Sequence, residues 1–374
     1  QAFRPESTPV TQELIDQLDL PDGFRINIFA KDLGHARMLE VGDDGTVYLT
    51  APKQGKVIAL RDTDRDGVAD QTRTLVEDLK DVHGIVLHEG RMYLAQPTQV
   101  SVAPLEAWDR LGEPRVLLRD LPDGGQHPNR TLAVRDGKLF ITVGSSCNAC
   151  PETNPEHATI LVAPLPPAPP PAPNAGGERR IFARGLRNTL GFGWHPRTGQ
   201  MWGMDHGSDG RGNDIPPEEL NRLEEGNHYG WPYVYGKQQP DPIIDDPPGT
   251  TKRAFAQKTA PAIVTYQAHS APIGMAFYDA QQFPAKYRGG AFVAFRGSWN
   301  RIPATGYKVA FIPFNEQGAP GKFQDFVSGF LLEDGKRQFA RLAGMAVAKD
   351  GSLLFTDDSQ GVIYRVSYQA GKGQ

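Results

Sequence analysis

One pattern recurs six times along the chain: a short apolar strand, a tight turn, a second apolar strand, a polar gap and a third strand. The first copy, MLEVGDDGTVYLTAPKQGKVIAL, runs from Met38 to Leu60, and the second, GIVLHEGRMYLAQPTQVSVAPL, starts at Gly84. The third starts at Leu132 and is continued by ATILVAPL from Ala158. The fourth is LGFGWHPRTGQMWGMDHG from Leu190, with ELNRL following at Glu219. A fifth runs from Ile273 and is closed by GYKVAFIPF at Gly306, and the last, MAVAKDGSLLFTDDSQGVIYRV, spans Met345 to Val366. Asp44-Gly45, Glu89-Gly90, Asp136-Gly137 and Asp350-Gly351 have the residue chemistry of hairpin turns. Strand-rich repeats of this size, with no helical pattern between them, predict an all-β fold. The expected form is a six-bladed β-propeller of four-stranded antiparallel blades, with residues 1–374 as one domain. A pair of β-sandwiches accounts less well for six equivalent hairpins. Helical signal is confined to the N-terminal TQELIDQL, inside an extension over residues 1–20, and to PPEELNRL.

Composition agrees with a turn-rich chain, with 41 glycines and 32 prolines. The segment APLPPAPPPAPNAGG, residues 163–177, predicts an extended polyproline loop between the third and fourth blades. A net charge of −4 gives no electrostatic case for nucleic acid. No apolar run approaches the ~20 residues of a membrane-spanning helix. The two cysteines, Cys147 and Cys150, sit in GSSCNACPE. Pro151 stands where covalent haem attachment needs histidine, and zinc would need a second pair of soft ligands. A local disulfide in an oxidising compartment is expected, against the alternatives of two reduced buried thiols or a redox pair. A start at Gln1 fits a removed export signal as well as a trimmed chain, and with the disulfide it makes a periplasmic or secreted setting the expected one.

In a propeller the loop before each innermost strand reaches the mouth of the central channel. The residues in that position are Arg37, His83, His127 with Arg130, Arg187 with Asn188, His269, and Arg341. Imidazoles and guanidiniums distant in sequence should therefore converge on one funnel that binds an anion or a carbonyl group. Arg187 is the sharpest case, because GLRNTLGFGWHP supplies no local acceptor for its donors. His127, in GGQHPNRTL, is the candidate general base. Alternating carboxylates at Asp62, Asp64, Asp66 and Asp70 suggest a structural Ca²⁺ loop, although Arg73 occupies the place where an EF-hand carries glutamate. The block MDHGSDGRGNDIPPEELN could bind calcium through backbone carbonyls, and the aromatic loop NHYGWPYVYG could cover the core or stack on a sugar ring. Neither a GxSxG elbow nor a GxGxxG loop after a strand occurs, so serine hydrolase and nicotinamide readings lack support.

The motifs GLRNTLGFGWHP, GSSCNAC, DHGSDGRGNDIPPEELN with HYGWPYVYG, and RLAGMAVAKDGSLLFTDDSQGVIYRV resemble the soluble glucose/sorbosone dehydrogenase family, in that order and in separate blades. The likeness is nearest to its sorbosone dehydrogenase-like, aldose-oxidising branch. It implies a six-bladed propeller that binds pyrroloquinoline quinone (PQQ) and Ca²⁺ and oxidises a sugar or aldehyde. By this resemblance His127 is the general base, and Arg187 and Asn188 flank the reactive quinone oxygen. Gly207 and Ser208 offer backbone ligands to an active-site calcium, adjoined by Asp205 and His206. Arg341, Arg296, Arg130 and His83 are implied as cofactor contacts. Ala343 stands where glucose-oxidising members carry a second arginine, which leaves Arg301 as the candidate for the missing contact. Ser208 replaces the usual proline. Electrons would leave to an external acceptor, a cytochrome or a quinone. A calcium-dependent lactonase-like hydrolase and a non-catalytic binding propeller are the competing readings.

Overall fold

The computed structural model describes residues 3–123, 125–165 and 178–369. Each repeat becomes one antiparallel sheet. The first pairs Leu39–Val41, Val47–Ala51, Lys56–Arg61 and Gln71–Val76 in chain order, and the third does the same with Leu132–Arg135, Lys138–Val143, Thr159–Pro164 and Arg180–Arg184. The turn glycines adopt the left-handed region, φ +71° at Gly90 and +68° at Gly137, with Glu89 and Asp136 before them also positive. A Cβ at either glycine would meet nothing within 4 Å, so backbone conformation rather than space selects the residue.

The middle strands, Val47–Ala51 and Ala291–Phe295 among them, are buried along their whole length. Sheets cover both of their faces, which is why they read as continuous apolar runs. Each seam between successive sheets has its own apolar cluster. Phe29, Leu39, Leu49 and Leu354 fill the seam between last and first sheets, and Phe283, Phe292, Phe326 and Phe355 that between fifth and sixth. At the axis Leu190, Ile273 and Ala343, one from each of three first strands, are buried together against Met38.

Hydrogen bonds run sheet to sheet around that axis. Thr356 Oγ1 donates to Arg37 O at 2.8 Å, Thr50 Oγ1 to His83 O at 2.8 Å, and His83 Nδ1 to Arg130 O at 2.9 Å. The Ser145 N–H donates to Arg187 O at 2.8 Å, His206 Nε2 to Pro272 O, and Arg341 Nη2 to Gly297 O at 2.8 Å. Among the described residues these contacts link six sheets in a closed cycle. The approach is tightest at Gly344, where a Cβ would stand 1.9 Å from Arg37 O.

The sixth sheet combines Leu342–Val347, Leu353–Asp357 and Val362–Tyr368 with Phe24–Ala30 from the start of the chain. Residues ahead of that strand are packed rather than appended. Thr11 caps a helix, Gln12–Asp16, whose Ile15 is 1% exposed and joins the core beside Leu18.

Three expectations change. PPEELNRL is not helical: Glu218–Leu223 is the third strand of the fourth sheet, paired with both Met201–Asp205 and Val264–Tyr266. The outer edge of the second sheet is split, because Arg110–Leu111 and Arg115–Leu118 both pair with Gln99–Ala107. Ala163 and Pro164 belong to the strand Thr159–Pro164, and residues 166–177 of the proline-rich segment lie outside the described residues.

Candidate active site

The loops that enter the first strands border a cavity of about 430 Å³ at one end of the axis, within the usual range of small-molecule sites, roughly 300–1,000 Å³. Arg37, Lys53, Arg187, Arg296 and Arg341 face it against the carboxylates of Asp209 and Glu218. Burial pushes Glu218 up to about 8, although the N–H groups of Ala271 and Gly207 oppose the shift. The cavity is therefore cationic near neutral pH and suits a polyanion.

Asp205 explains how the fourth sheet presents its arginine. Its carboxylate, at the end of the strand Met201–Asp205, accepts from the N–H of Arg187 at 2.9 Å, the N–H of Asn188 at 2.8 Å and Thr189 Oγ1 at 2.9 Å. Asp357 repeats the arrangement in the sixth sheet, accepting from the Arg341 N–H at 2.9 Å. Burial raises both carboxyls to about 6. The Arg187 guanidinium, 3% exposed, finds its acceptors outside its own stretch, in the third sheet and in a loop of its own sheet: Nε donates to Asn148 O at 2.9 Å, and Nη2 to Asn148 Oδ1 at 2.9 Å and Asp209 Oδ2 at 3.2 Å. Asn148 lies in the loop closed by the Cys147–Cys150 disulfide.

His127 lines the same cavity. Its Nδ1 is 3.0 Å from Ser145 O and 2.9 Å from Ser145 Oγ. Ser145 Oγ spends its own proton on Cys147 O at 2.6 Å, so both oxygens accept and Nδ1 carries the hydrogen. Nε2 is left as the proton acceptor. Burial first, then the charge of Arg187, lowers this histidine to about 3, so the imidazole is neutral near pH 7. A Cβ at Gly144 would collide with His127 Cβ at 2.5 Å and Asn188 Oδ1 at 2.8 Å. Glycine there lets the base and the amide approach each other.

Of the residues singled out from sequence, Arg37, His127, Arg187, Asn188, His206, Gly207, Asp209, His269, Arg296 and Arg341 meet at the cavity. His83, Arg130 and Arg301 are not among its lining residues. His83 is fully buried behind Arg37, donating to Arg130 O and accepting from Arg37 Nε at 3.2 Å. Arg130 donates to Pro97 O, His127 O and Pro122 O, and shapes the loop that carries the base. Arg301 donates to Asn213 O, Pro303 O and Asp214, and Ala343 is buried at the axis. Ser208 is also buried, its Oγ accepting from Trp231 Nε1 at 3.0 Å. Trp231 therefore packs inside, and the exposed aromatic of the cavity is Trp299, 42% exposed. The acidic turn gathers Asp62, Asp64 and Asp70, whereas Asp66 Oδ1 accepts from the Val68 N–H at 2.8 Å.

Sequence reasoning missed His35, Lys53 and Trp299 at the cavity, and Asp358 and Asn148 behind it, whereas Asp209, in the block MDHGSDGRGNDIPPEELN, does line it. Asp358 is held below the usual carboxylate range, against its burial, by Arg296 and Arg37. Its partners Arg37 and Arg296 lie far from it in the chain, and no spacing in the sequence points to them.

The sequence model of the TrAA12-like family matches residues 18–369. An uncharacterized protein of Borreliella burgdorferi is 29% identical over 97% of this chain and 94% of its own length. The pyrroloquinoline quinone-dependent pyranose dehydrogenase of Coprinopsis cinerea is 23% identical over 95% of this chain, which spans 55% of that relative. The calcium structure of the Trichoderma reesei carbohydrate-active enzyme of family AA12 superposes with a TM-score of 0.82 at 20% identity, covering 94% of this chain and 97% of that one.

Proposed function

This chain belongs to the TrAA12-like family, and from that premise we propose that it is an oxidoreductase that oxidises a sugar, or an aldehyde of similar shape, at a CH–OH group with PQQ and Ca²⁺. On this reading the cycle of sheets is a single six-bladed propeller domain, and the axial cavity is its active site. The observation that carries the proposal is the meeting of a neutral, oriented His127 with several buried guanidiniums in one cavity.

PQQ carries three carboxylates, and the cavity offers Arg37, Lys53, Arg296 and Arg341 to receive them. When bound, it supplies an ortho-quinone that accepts hydride. His127 takes the substrate hydroxyl proton at Nε2, and its Nδ1–H stays anchored on Ser145. Arg187 and Asn188 direct donors to the place where negative charge develops, and so favour the transition state over the ground state. Calcium would be held by the main-chain carbonyls of Gly207 and Ser208, with no side-chain carboxylate required. Electrons then pass to an external acceptor of the cytochrome or quinone class, in a periplasmic or secreted setting. No helix among the described residues is long and apolar enough to cross a membrane.

The test is a titration of the metal-free protein with PQQ and Ca²⁺, followed by absorbance while a panel of aldoses and aldehydes is added. Saturable binding with substrate-dependent reduction of the quinone is expected. Failure to bind PQQ in the presence of calcium would overturn the proposal.

A further inference from the structure

The two groups assigned to proton abstraction and charge stabilisation come from different sheets, yet one short loop holds both. Arg187 makes two of its side-chain bonds to Asn148, one to the main-chain oxygen and one to Oδ1. Asn148 is fixed in turn on Asp209, accepting from its N–H at 2.8 Å and donating through Nδ2 to its carbonyl at 3.0 Å. Arg187, Asn148 and Asp209 thus form a closed hydrogen-bonded triangle, completed by the bond from Arg187 to the Asp209 carboxylate.

The base is tied to the same loop through Ser145, which bonds His127 on one side and Cys147 O on the other. The loop is braced from behind as well. Glu152 accepts from the Ser146 N–H at 2.7 Å and from Ser146 Oγ at 2.6 Å, and the Gln126 N–H donates to Ser146 O at 2.9 Å. Cys147 and Cys150 close a small ring around Asn148 and Ala149. A ring of that size restricts the backbone of the asparagine, and with it both acceptors offered to Arg187.

We propose that Asn148, held in the Cys147–Cys150 ring, is a positioning residue for Arg187, and that the ring keeps Arg187 in register with His127. The inference rests on the catalytic reading of those two residues given above. Asn148 acts through Arg187, and the disulfide acts through Asn148 and Ser145.

Two measurements separate this inference from that reading. In protein without cofactor, carrying ¹⁵N-labelled arginine, the Nε–H resonance of Arg187 (assigned by its loss in Arg187→Lys) should be protected from solvent exchange. Protection should fall at least tenfold in Asn148→Ala and in the Cys147→Ala/Cys150→Ala variant. In PQQ- and calcium-loaded protein, Asn148→Ala should lower kcat on the order of 10- to 100-fold with PQQ affinity and KM within about twofold. Asn148→Asp, which keeps an acceptor at Oδ1 but sets its second oxygen against the Asp209 carbonyl, should recover only part of that loss. Adding Asn148→Ala to the cysteine variant should cost less than the product of the separate effects. Unchanged exchange of Arg187, or a kcat within twofold of wild type in Asn148→Ala, would overturn the proposal. Exchange that behaves as expected in a protein with no substrate-dependent turnover would uphold the positioning role and reject the dehydrogenase reading.

Discussion

Arg296 grips Asp358 through two parallel bonds, Nε to Oδ2 at 2.7 Å and Nη2 to Oδ1 at 3.0 Å. Arg37 adds a third, Nη1 to Oδ2 at 2.7 Å, onto a carboxylate whose side chain is wholly buried. Asp358 therefore sets the spacing of two cations that the proposed cofactor must meet. Asp358→Asn leaves both guanidiniums short of a counter-charge and should destabilise the fold by about 3–5 kcal/mol, read from urea denaturation at pH 7. Because its folded pKa is depressed, the carboxylate contributes this stability above its unfolded pKa of about 4 and loses it as pH falls further. The gap between wild type and variant should accordingly narrow in strong acid.

His127→Gln separates binding from chemistry. Glutamine cannot accept the substrate proton, so kcat should fall roughly 10²- to 10⁴-fold while PQQ affinity changes little. Stopped-flow reduction of the bound quinone measures the first, and a spectral titration the second. Equal loss of both would remove His127 from the role of base.

Acid should destabilise the protein through its partly buried imidazoles. Burial lowers His206 and His35 to about 4, and His127 to about 3 with help from Arg187. The unfolded chain binds protons at these sites below about pH 6.5 and the folded chain does not, so stability is full above that pH. It declines toward pH 4 by at most ~1.4 kcal/mol per unit for each such group. His127→Gln should flatten the fall of the urea midpoint between pH 6.5 and 4.5, whatever it does to the midpoint at pH 7.

Gly344→Ala tests the axis. The added methyl would overlap Arg37 O and displace the sheet that carries Arg37. A loss of at least ~1–3 kcal/mol is expected, visible as a lower melting temperature. Gly90→Ala, at an open turn, serves as the comparison. It should cost less, since only the positive φ opposes it.

Trp299 offers an exposed ring at the cavity without belonging to any of the apolar clusters between sheets. Trp299→Ala should raise KM for a pyranose several-fold and leave the melting temperature nearly unchanged. A large fall in stability instead would assign the ring to packing.

The sheets were legible because their signals are local. Asp136-Gly137 fixes a turn by its own backbone chemistry, and the apolar runs on either side need no knowledge of their neighbours. The convergence of Arg37, Arg187 and Arg341 was legible for a related reason, since equivalent positions in repeats share a place in the ring. What that logic could not do was tell a cation that faces the cavity from one that turns to the next sheet. Arg187 and Arg130 occupy the same register, yet Arg130 spends its donors on the carbonyls of Pro97, His127 and Pro122. His83 likewise bonds Arg37 and Arg130 and is not among the residues that line the cavity. Asn148 and Asp358 were missed because their significance lies in bonds to residues far away in the chain, to which no spacing rule points.

Pairing of Phe24–Ala30 with Val362–Tyr368 has a consequence for biosynthesis. The sixth sheet draws its outermost strand from Phe24–Ala30 and its other three from strands between Leu342 and Tyr368, so it cannot be completed until Val362–Tyr368 has left the ribosome. Five sheets can assemble during translation, but Arg341 and Asp358 arrive last, and only then does Arg37 acquire its counter-charge. A nascent chain that stops short of Val362 has no strand on which to dock Phe24–Ala30, and its binding funnel lacks a wall. The axial cavity is complete only once this last-made sheet is in place.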